Sequence, residues 1–373
     1  MKILVFNWQD ISNPLGGGAE THFHEIFKRI VTMGHEVTLF CSKYNGCKEI
    51  EVIDGITIIR AGSRSLFNFY VPYWYFKKFK YEKYHIVIDD INKIPFYTPL
   101  YIKEPLLAIS HHFFGKSIFL QANIVFATYV YLAEKLVDLV YKSTNFTTVS
   151  NSTLQEFIDR GFNKEKFVII PNAITQEHYP LKVGNKSIYP VITYFGRIKK
   201  YKSPDHLLKA FALIHQQFPD AKLEFMGSGD FLPQLRTLAV ELGIEHKVLF
   251  HGRVTEEQKL ELLTASWVVV NTSMKEGWGI TNIEANACGT PVISANVPGL
   301  SDSVLVGESG NLYEYANIKE LSLNLVELLQ NSELRNHLSQ GAVLWAKRFS
   351  WETSAHEMIL YCNKIIENTP TVR

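Results

Sequence analysis

The sequence predicts an α/β protein with mostly parallel sheets and helices on both faces, built as two domains. Three observations predict it. Apolar strand-like runs alternate with helical periodicity along the whole chain. The chain has 373 residues, too many for one ordinary domain and suited to two. Several strands run into glycine-bearing turns that open helices, the arrangement that places ligands at the carboxyl ends of strands in open sheets.

In the first half, strands are expected near Ile3–Asn7, Glu36–Cys41, Ile56–Arg60, Ile86–Ile88, Leu106–Ile109 and Phe146–Val149. A helix is expected from Glu20 to Met33, stopping at Gly34. In the second half, strands fall near Val191–Phe195, Lys222–Met226, Lys247–Phe250, Trp267–Val270 and Pro291–Ser294. Helices near Ser203–Phe218, Phe231–Leu242, Glu256–Thr264 and Ile318–Leu329 separate them. The span from Pro171-Asn172 to Ser187 holds Pro180 and Gly184 and reads as the boundary. It gives domains of 1–175 and 186–350.

Composition narrows the function. Hydrophobic residues make up 46% and charged residues 20%, a globular balance. Thirty-eight basic and 37 acidic side chains leave a formal charge of +1, so nothing electrostatic points to nucleic acid as a partner. Cys41, Cys47, Cys288 and Cys362 form no CxxC pair, which suits a reducing, cytoplasmic compartment. The apolar run Met1–Phe6 is too short for a signal peptide and reads as a buried strand. The apolar segment from Asn123 to Tyr141 contains Glu134, Lys135 and Asp138, and is expected to be a core helix rather than a membrane span.

The most informative stretch runs from Lys275 through Glu276-Gly277-Trp278-Gly279-Ile280-Thr281 to Glu284 and on to Gly289-Thr290-Pro291. It follows the run Trp267–Val270. Gly277 and Gly279 free the backbone to turn and to approach a ligand. A short helix is expected from Thr281 to Gly289, so Glu276 and Glu284 flank a strand-to-helix turn. Eight residues at about 100° each would leave them roughly 80° apart on one continuous helix. A loop Glu276 and a first-turn Glu284 can instead converge on one small molecule. Thr281-x-x-Glu284 is equally a capping box, in which the carboxylate only satisfies the helix start.

This phrase resembles the Glu-x7-Glu signature of retaining nucleotide-sugar glycosyltransferases, in particular glycosyltransferase family 4. The resemblance extends over nearly the whole chain. It implies a GT-B fold, two Rossmann-like domains facing each other across a cleft. Arg197 and Lys202, in Gly196-Arg197-Ile198-Lys199-Lys200-Tyr201-Lys202-Ser203, match the two cations of the family's Gly-Arg-x4-Lys-Gly; Ser203 replaces the second glycine. Preorganised cations stabilise the charge gathering on a departing nucleoside diphosphate. Gly227-Ser228-Gly229 resembles the family's turn beside the nucleotide, and Arg253-Val254 the segment that meets the base. By the same resemblance Glu284 binds ribose hydroxyls and Glu276 the donor sugar, with Gly277, Trp278, Gly279 and Ile280 completing the donor contact.

Gly16-Gly17-Gly18 follows the first strand and opens a helix, a place where backbone N–H groups meet anions. The family's equivalent loop covers the donor from the first domain. His111 fits the family's histidine near the donor sugar, with His112 adjacent. Pro171-Asn172-Ala173 resembles the family's hinge, with Ala173 for the usual glycine. A final helix at 351–367 resembles one that crosses back onto the first domain. There is no Asp-x-Asp, and Asp89-Asp90 would point to opposite faces of a strand, so neither a metal nor any other cofactor is expected.

The expected reaction moves a hexosyl group from a UDP- or GDP-linked sugar to a saccharide or lipid-linked acceptor with retention. The leaving phosphate and the incoming hydroxyl would share one face of the sugar. A non-catalytic nucleotide-sugar binder, or another GT-B enzyme such as an epimerase, is the alternative. Segment 66–84 interleaves aromatics with Lys77, Lys78, Lys80 and Lys83. It suits either a core helix with snorkelling lysines or peripheral contact with a membrane.

Overall fold

The computed structural model describes residues 1–91, 94–120 and 123–369. The chain divides into two compact units, Met1–Asn172 joined by the C-terminal segment from Trp351, and Ala173–Ser350.

Among the described residues, the first unit holds one eight-stranded sheet. Its strands are β1 (Lys2–Phe6), β2 (Glu36–Cys41), β3 (Ile50–Ile53), β4 (Ile56–Arg60), β5 (Ile86–Ile91), β6 (Leu106–Ser110), β7 (Asn145–Thr148) and β8 (Phe167–Ile169). They lie in the order β3-β4-β2-β1-β5-β6-β7-β8. All pairs are parallel except the hairpin β3–β4 at the edge. The order reverses between β1 and β5, so the crevice beyond their carboxyl ends is this unit's topological switch point.

Helices α1 (Gly18–Thr32), α2 (Phe67–Lys77), α3 (Ile124–Val140) and α4 (Asn151–Asp159) cover the sheet. The C-terminal helix, Trp351–Asn368, completes the unit against α1: Arg29 Nε donates to Glu352 at 2.5 Å, and the His22 and Trp351 rings meet at 6.0 Å. The aromatic segment divides between two roles. Phe67, Val71, Tyr75 and Phe79 enter the core, where Phe40 meets Phe67 and Phe79 at 5.2 Å. Each such buried ring contributes on the order of 2 kcal/mol. Phe69, Tyr73 and Phe76 stay exposed.

The expectation of a core helix at Asn123–Tyr141 is half corrected. One face of α3, with Ala127, Val130, Ala133 and Val137, is buried; the opposite apolar face is open. A helix whose apolar residues wrap beyond one stripe cannot bury them all against a single sheet.

The second unit holds six parallel strands: β9 (Val191–Phe195), β10 (Lys222–Met226), β11 (Val248–Gly252), β12 (Val268–Asn271), β13 (Val292–Ala295) and β14 (Gly310–Tyr313). Their order is β11-β10-β9-β12-β13-β14. β9 to β11 grow one way and β12 to β14 the other, so the switch point lies between β9 and β12. Helices α5 (Pro204–Ile214), α6 (Leu232–Glu241), α7 (Glu256–Ala265), α8 (Ile280–Ala287), α9 (Ile318–Gln330) and α10 (Ser332–Ala346) connect and flank them. The core joins Leu207, Phe211 and Leu325 to Ile192 and Val270 on the sheet.

Candidate active site

Every second-unit residue expected at the donor site lies on a loop at the carboxyl end of β9, β10, β11 or β12, or on the helix that follows. The strand order sets four loops side by side: Arg253-Val254, Gly227–Gly229, Gly196–Lys202, and Glu276–Ile280. Backbone bonds tie them together. Gly227 N–H donates to Gly252 O at 2.8 Å, Gly196 N–H to Met226 O at 3.0 Å, and Ile198 N–H to Ser228 O at 2.9 Å. A Cβ on Gly227 would stand 1.9 Å from Gly196 O, and one on Gly229 2.0 Å from Ile198 O. These two glycines are required by the neighbouring backbone whatever else they meet.

Two of the loops flank the switch point. After β9, Lys202 forms an ion pair with Glu276, which stands after β12. Both side chains are mostly buried, at 15% and 19% exposure. Thr272 Oγ1 donates to Lys202 O at 2.9 Å, and Met274 N–H to Tyr201 O at 3.1 Å, fixing one loop on the other. Arg197 is exposed and donates to the Tyr201 hydroxyl at 3.1 Å. Ser203, where the family pattern has glycine, is left-handed at φ 49°. Its hydroxyl bonds Tyr315 at 2.9 Å, a contact glycine could not make and one that offsets the conformational cost of about 1 kcal/mol.

No side chain caps helix α8 at Gly279; Ile280 N–H donates to Trp278 O at 3.0 Å and Asn282 N–H to Gly279 O at 2.9 Å, so the helix start carries no capping carboxylate. The capping box at Thr281-x-x-Glu284 does not form. Thr281 Oγ1 instead accepts from Asn271 Nδ2 at 3.0 Å. Glu284 Oε1 accepts from the Tyr179 hydroxyl at 2.6 Å and from Lys259 Nζ at 2.8 Å. Burial alone would depress the Lys259 ammonium, but Glu284 and Glu256 hold it above its ordinary range. Burial, and then Glu284, push the Tyr179 hydroxyl well up, so it stays a donor. Nothing in the sequence flagged Lys259 or Tyr179. Trp278 is buried, its ring 5.3 Å from Phe349, and its indole N–H lacks a partner among the described residues. The expected left-handed stop at Gly289 is present, at φ 68°. Ala173 is not left-handed, so the hinge position does not need the family's glycine.

The first unit is arranged differently. Gly17 N–H donates to Glu20 Oε2 at 2.6 Å, so a carboxylate of the helix itself sits where the glycine turn could receive an anion. Gly16 N–H is taken by Asn13 O at 2.8 Å; Gly18 has open space where a side chain would be. The preceding loop is anchored by a fully buried pair, Asp10 with Arg60, at 2.7 and 3.1 Å. His111, at the end of β6, bonds Asp90 Oδ1 through Nε2 at 3.0 Å, and Asn7 Nδ2 donates to Asp90 Oδ2 at 2.8 Å. Burial would lower His111, yet the Asp90 carboxylate raises it. The neighbouring His22 ring, 5.1 Å away, is pulled down to about 3 by burial and by His111. Asp89 turns to the other face, as strand alternation requires, accepting from Thr98 at 2.6 Å and Tyr141 at 2.5 Å; burial pushes it up to about 6. His112 is less buried than His111 and packs against Phe114 at 4.9 Å. No cluster of three or more His, Cys, Asp or Glu able to hold a metal occurs among the described residues.

Comparison with known proteins gives the class. The family described as Glycosyltransferase Family 4 matches residues 16–178, and that described as Glycosyl transferases group 1 matches residues 176–345. The chain is a family 4-like glycosyltransferase of GT-B fold. D-inositol 3-phosphate glycosyltransferase of Rhodococcus jostii is 35% identical over 185 residues, 48% of this chain and 41% of that protein. The same enzyme of Thermobispora bispora is 30% identical over 232 residues, 60% of this chain and 51% of its own length. The match thus spans about half or less of these relatives. Among solved structures, sucrose-phosphate synthase from Thermosynechococcus elongatus aligns at a TM-score of 0.78 and 18% identity, covering 98% of this chain and 99% of that one. Anabaena HepE in complex with UDP and glucose aligns at 0.74 and 18%, covering 98% and 100%. At such identities these two share the fold.

Proposed function

We propose that this protein transfers a hexosyl group from a UDP- or GDP-linked sugar to a saccharide or lipid-linked acceptor, with retention at the anomeric carbon and without a metal, at the cytoplasmic side of a membrane. The observation that carries the reading is the Lys202–Glu276 pair at the second unit's switch point, beside Arg197 and the uncapped start of α8. A donor offers a diphosphate to the cation and sugar hydroxyls to the carboxylate, so it exchanges one ion pair for two sets of ligand contacts. Arg197, Lys202 and the α8 N–H groups stabilise the leaving diphosphate. Glu284, held by Lys259 and Tyr179 through one oxygen, offers the other to ribose. His111, raised by Asp90, presents a proton donor to the transferred sugar. Gly16–Gly18 admit the donor by lacking side chains. No carboxylate is assigned as a covalent nucleophile; the departing phosphate oxygen takes the acceptor's proton. The names of the relatives support a sugar donor and a polar acceptor. The exposed aromatics and lysines of 66–84 support contact with a membrane.

A panel of nucleotide sugars, read by thermal unfolding, tests the reading. A donor held at 100 times its Kd raises stability by about 2.7 kcal/mol. One UDP- or GDP-hexose is expected to protect the protein and to be consumed once an acceptor is supplied. Protection by none of them would overturn the assignment.

A further inference from the structure

Arg197 and Lys202 share one neighbour that the sequence did not single out, Tyr201. The tight turn Lys200–Lys202 closes with Lys202 N–H on Lys199 O and Ser203 N–H on Lys200 O, both at 3.0 Å. It sets Tyr201 between the two cations. The Tyr201 hydroxyl accepts from Arg197 Nη2 at 3.1 Å, and the ring centroid lies 5.4 Å from Lys202 Nζ. The Tyr201 carbonyl accepts from Met274 N–H at 3.1 Å, which ties the residue to the loop that carries Glu276.

The main chain of Arg197 is fixed, because the buried Tyr194 hydroxyl donates to its carbonyl at 3.0 Å. Its side chain is exposed, and among the described residues no carboxylate pairs with it. Lys199 in the same loop differs, since it is paired with Asp230 at 2.7 Å. A long cationic side chain left loose loses rotamer freedom when it meets an anion, which weakens the contact. A phenol hydroxyl orients one guanidinium N–H without neutralising the group, and leaves four N–H donors for a ligand.

Lys202 is paired with Glu276. When donor hydroxyls engage that carboxylate, the Tyr201 ring is the neighbour that stays. An ammonium within about 6 Å of an aromatic centroid is attracted by the ring without losing its charge.

We propose that Tyr201 is a positioning residue that aims both cations at a diphosphate, its hydroxyl turning the guanidinium and its ring steadying the ammonium. That the diphosphate is a leaving group rests on the glycosyl-transfer reading; the grip on a diphosphate is measured apart from it.

The test titrates UDP, GDP and inorganic pyrophosphate into the full chain by calorimetry. Tyr201→Phe removes one oxygen from a partly exposed side chain, so melting without ligand is expected to match the wild type. The variant should bind pyrophosphate and the preferred nucleoside diphosphate about tenfold more weakly, the loss expected for one hydrogen bond to a charged group. Tyr201→Leu, which also removes the ring, should lose more. In an Arg197→Gln background Tyr201→Phe should add about twofold at most, because the hydroxyl acts through the guanidinium. With the hexose donor found in the thermal panel, Tyr201→Phe should lower kcat about tenfold and change donor KM about threefold at most, since the diphosphate gains charge as the bond breaks.

Tyr201→Phe that binds all three probes as the wild type does would overturn the proposal. So would a loss that persists in full in the Arg197→Gln background, or one that is equal for donor KM and nucleoside diphosphate, which marks general loosening of the loop. Diphosphate binding that depends on Tyr201, in a protein that turns over no hexose donor, would sink the reaction and leave the grip standing. A wild type that binds none of the three probes would overturn both.

Discussion

The two units share a doubly wound plan and differ at their switch points. In the second, a lysine and an arginine stand beside an uncapped helix start. In the first, the corresponding helix start is already occupied by the Glu20 carboxylate, and Asp10, Asp89 and Asp90 crowd the ends of β1 and β5. One architecture therefore yields one helix start without a carboxylate cap and one that supplies its own. Whether a switch point carries a capping carboxylate or cations is set by which side chains follow the strands, not by the sheet.

The largest effect expected from this contrast is at Lys202. Lys202→Ala should lower kcat/KM by about two to three orders of magnitude, the loss typical of one preorganised group at a developing charge. Because Lys202 and Glu276 are paired, the double variant with Glu276→Gln should cost less than the sum of the singles; strict additivity would separate their roles. Asp90→Asn sharpens the first unit's side. His111 is raised above its ordinary value of about 6.5, so the pair's contribution is complete below that pH and is lost as pH climbs through the raised value. Denaturant unfolding at about pH 6 should show a deficit of about 2 kcal/mol in the variant, shrinking by about pH 9. A deficit independent of pH would mean His111 is not the titrating partner. The smallest effect is at Glu20. Glu20→Gln should cost about 1 kcal/mol of stability and leave nucleotide affinity unchanged. Tighter nucleotide binding by that variant would erase the distinction between the two helix starts.

Sequence patterns located most of the second unit because its buried strands are short apolar runs bounded by glycine and proline. Strand β4 was expected at Ile56–Arg60, but its hairpin partner β3 escaped, although Asp54-Gly55 between Ile53 and Ile56 is a two-residue turn signal, with both residues left-handed at φ 48° and 79°. Strands β8 and β14 are only three and four residues long, too short for periodicity to register. Helix α3 was read as interior because its apolar residues point all round, and composition does not say which face finds a partner. In the site, Arg197, Lys202, Glu276 and Glu284 were legible because charged residues at strand ends break an apolar pattern. Lys259 was not: it sits within helix α7, whose charged and apolar residues mark no clear face, and it meets Glu284 only in the folded chain. Arg60 reaches Asp10, and Asp90 reaches His111, through strand order alone.

The return of the C-terminal helix to the first unit has a consequence for biosynthesis. A ribosome making this protein releases Met1–Asn172 long before the segment that seals it, so α1 waits with its outer side uncovered while Ala173–Ser350 can finish without any missing piece. The nascent first unit is thus the portion that needs chaperone shelter, and a stop codon upstream of Trp351 removes part of the beginning of the molecule rather than its end.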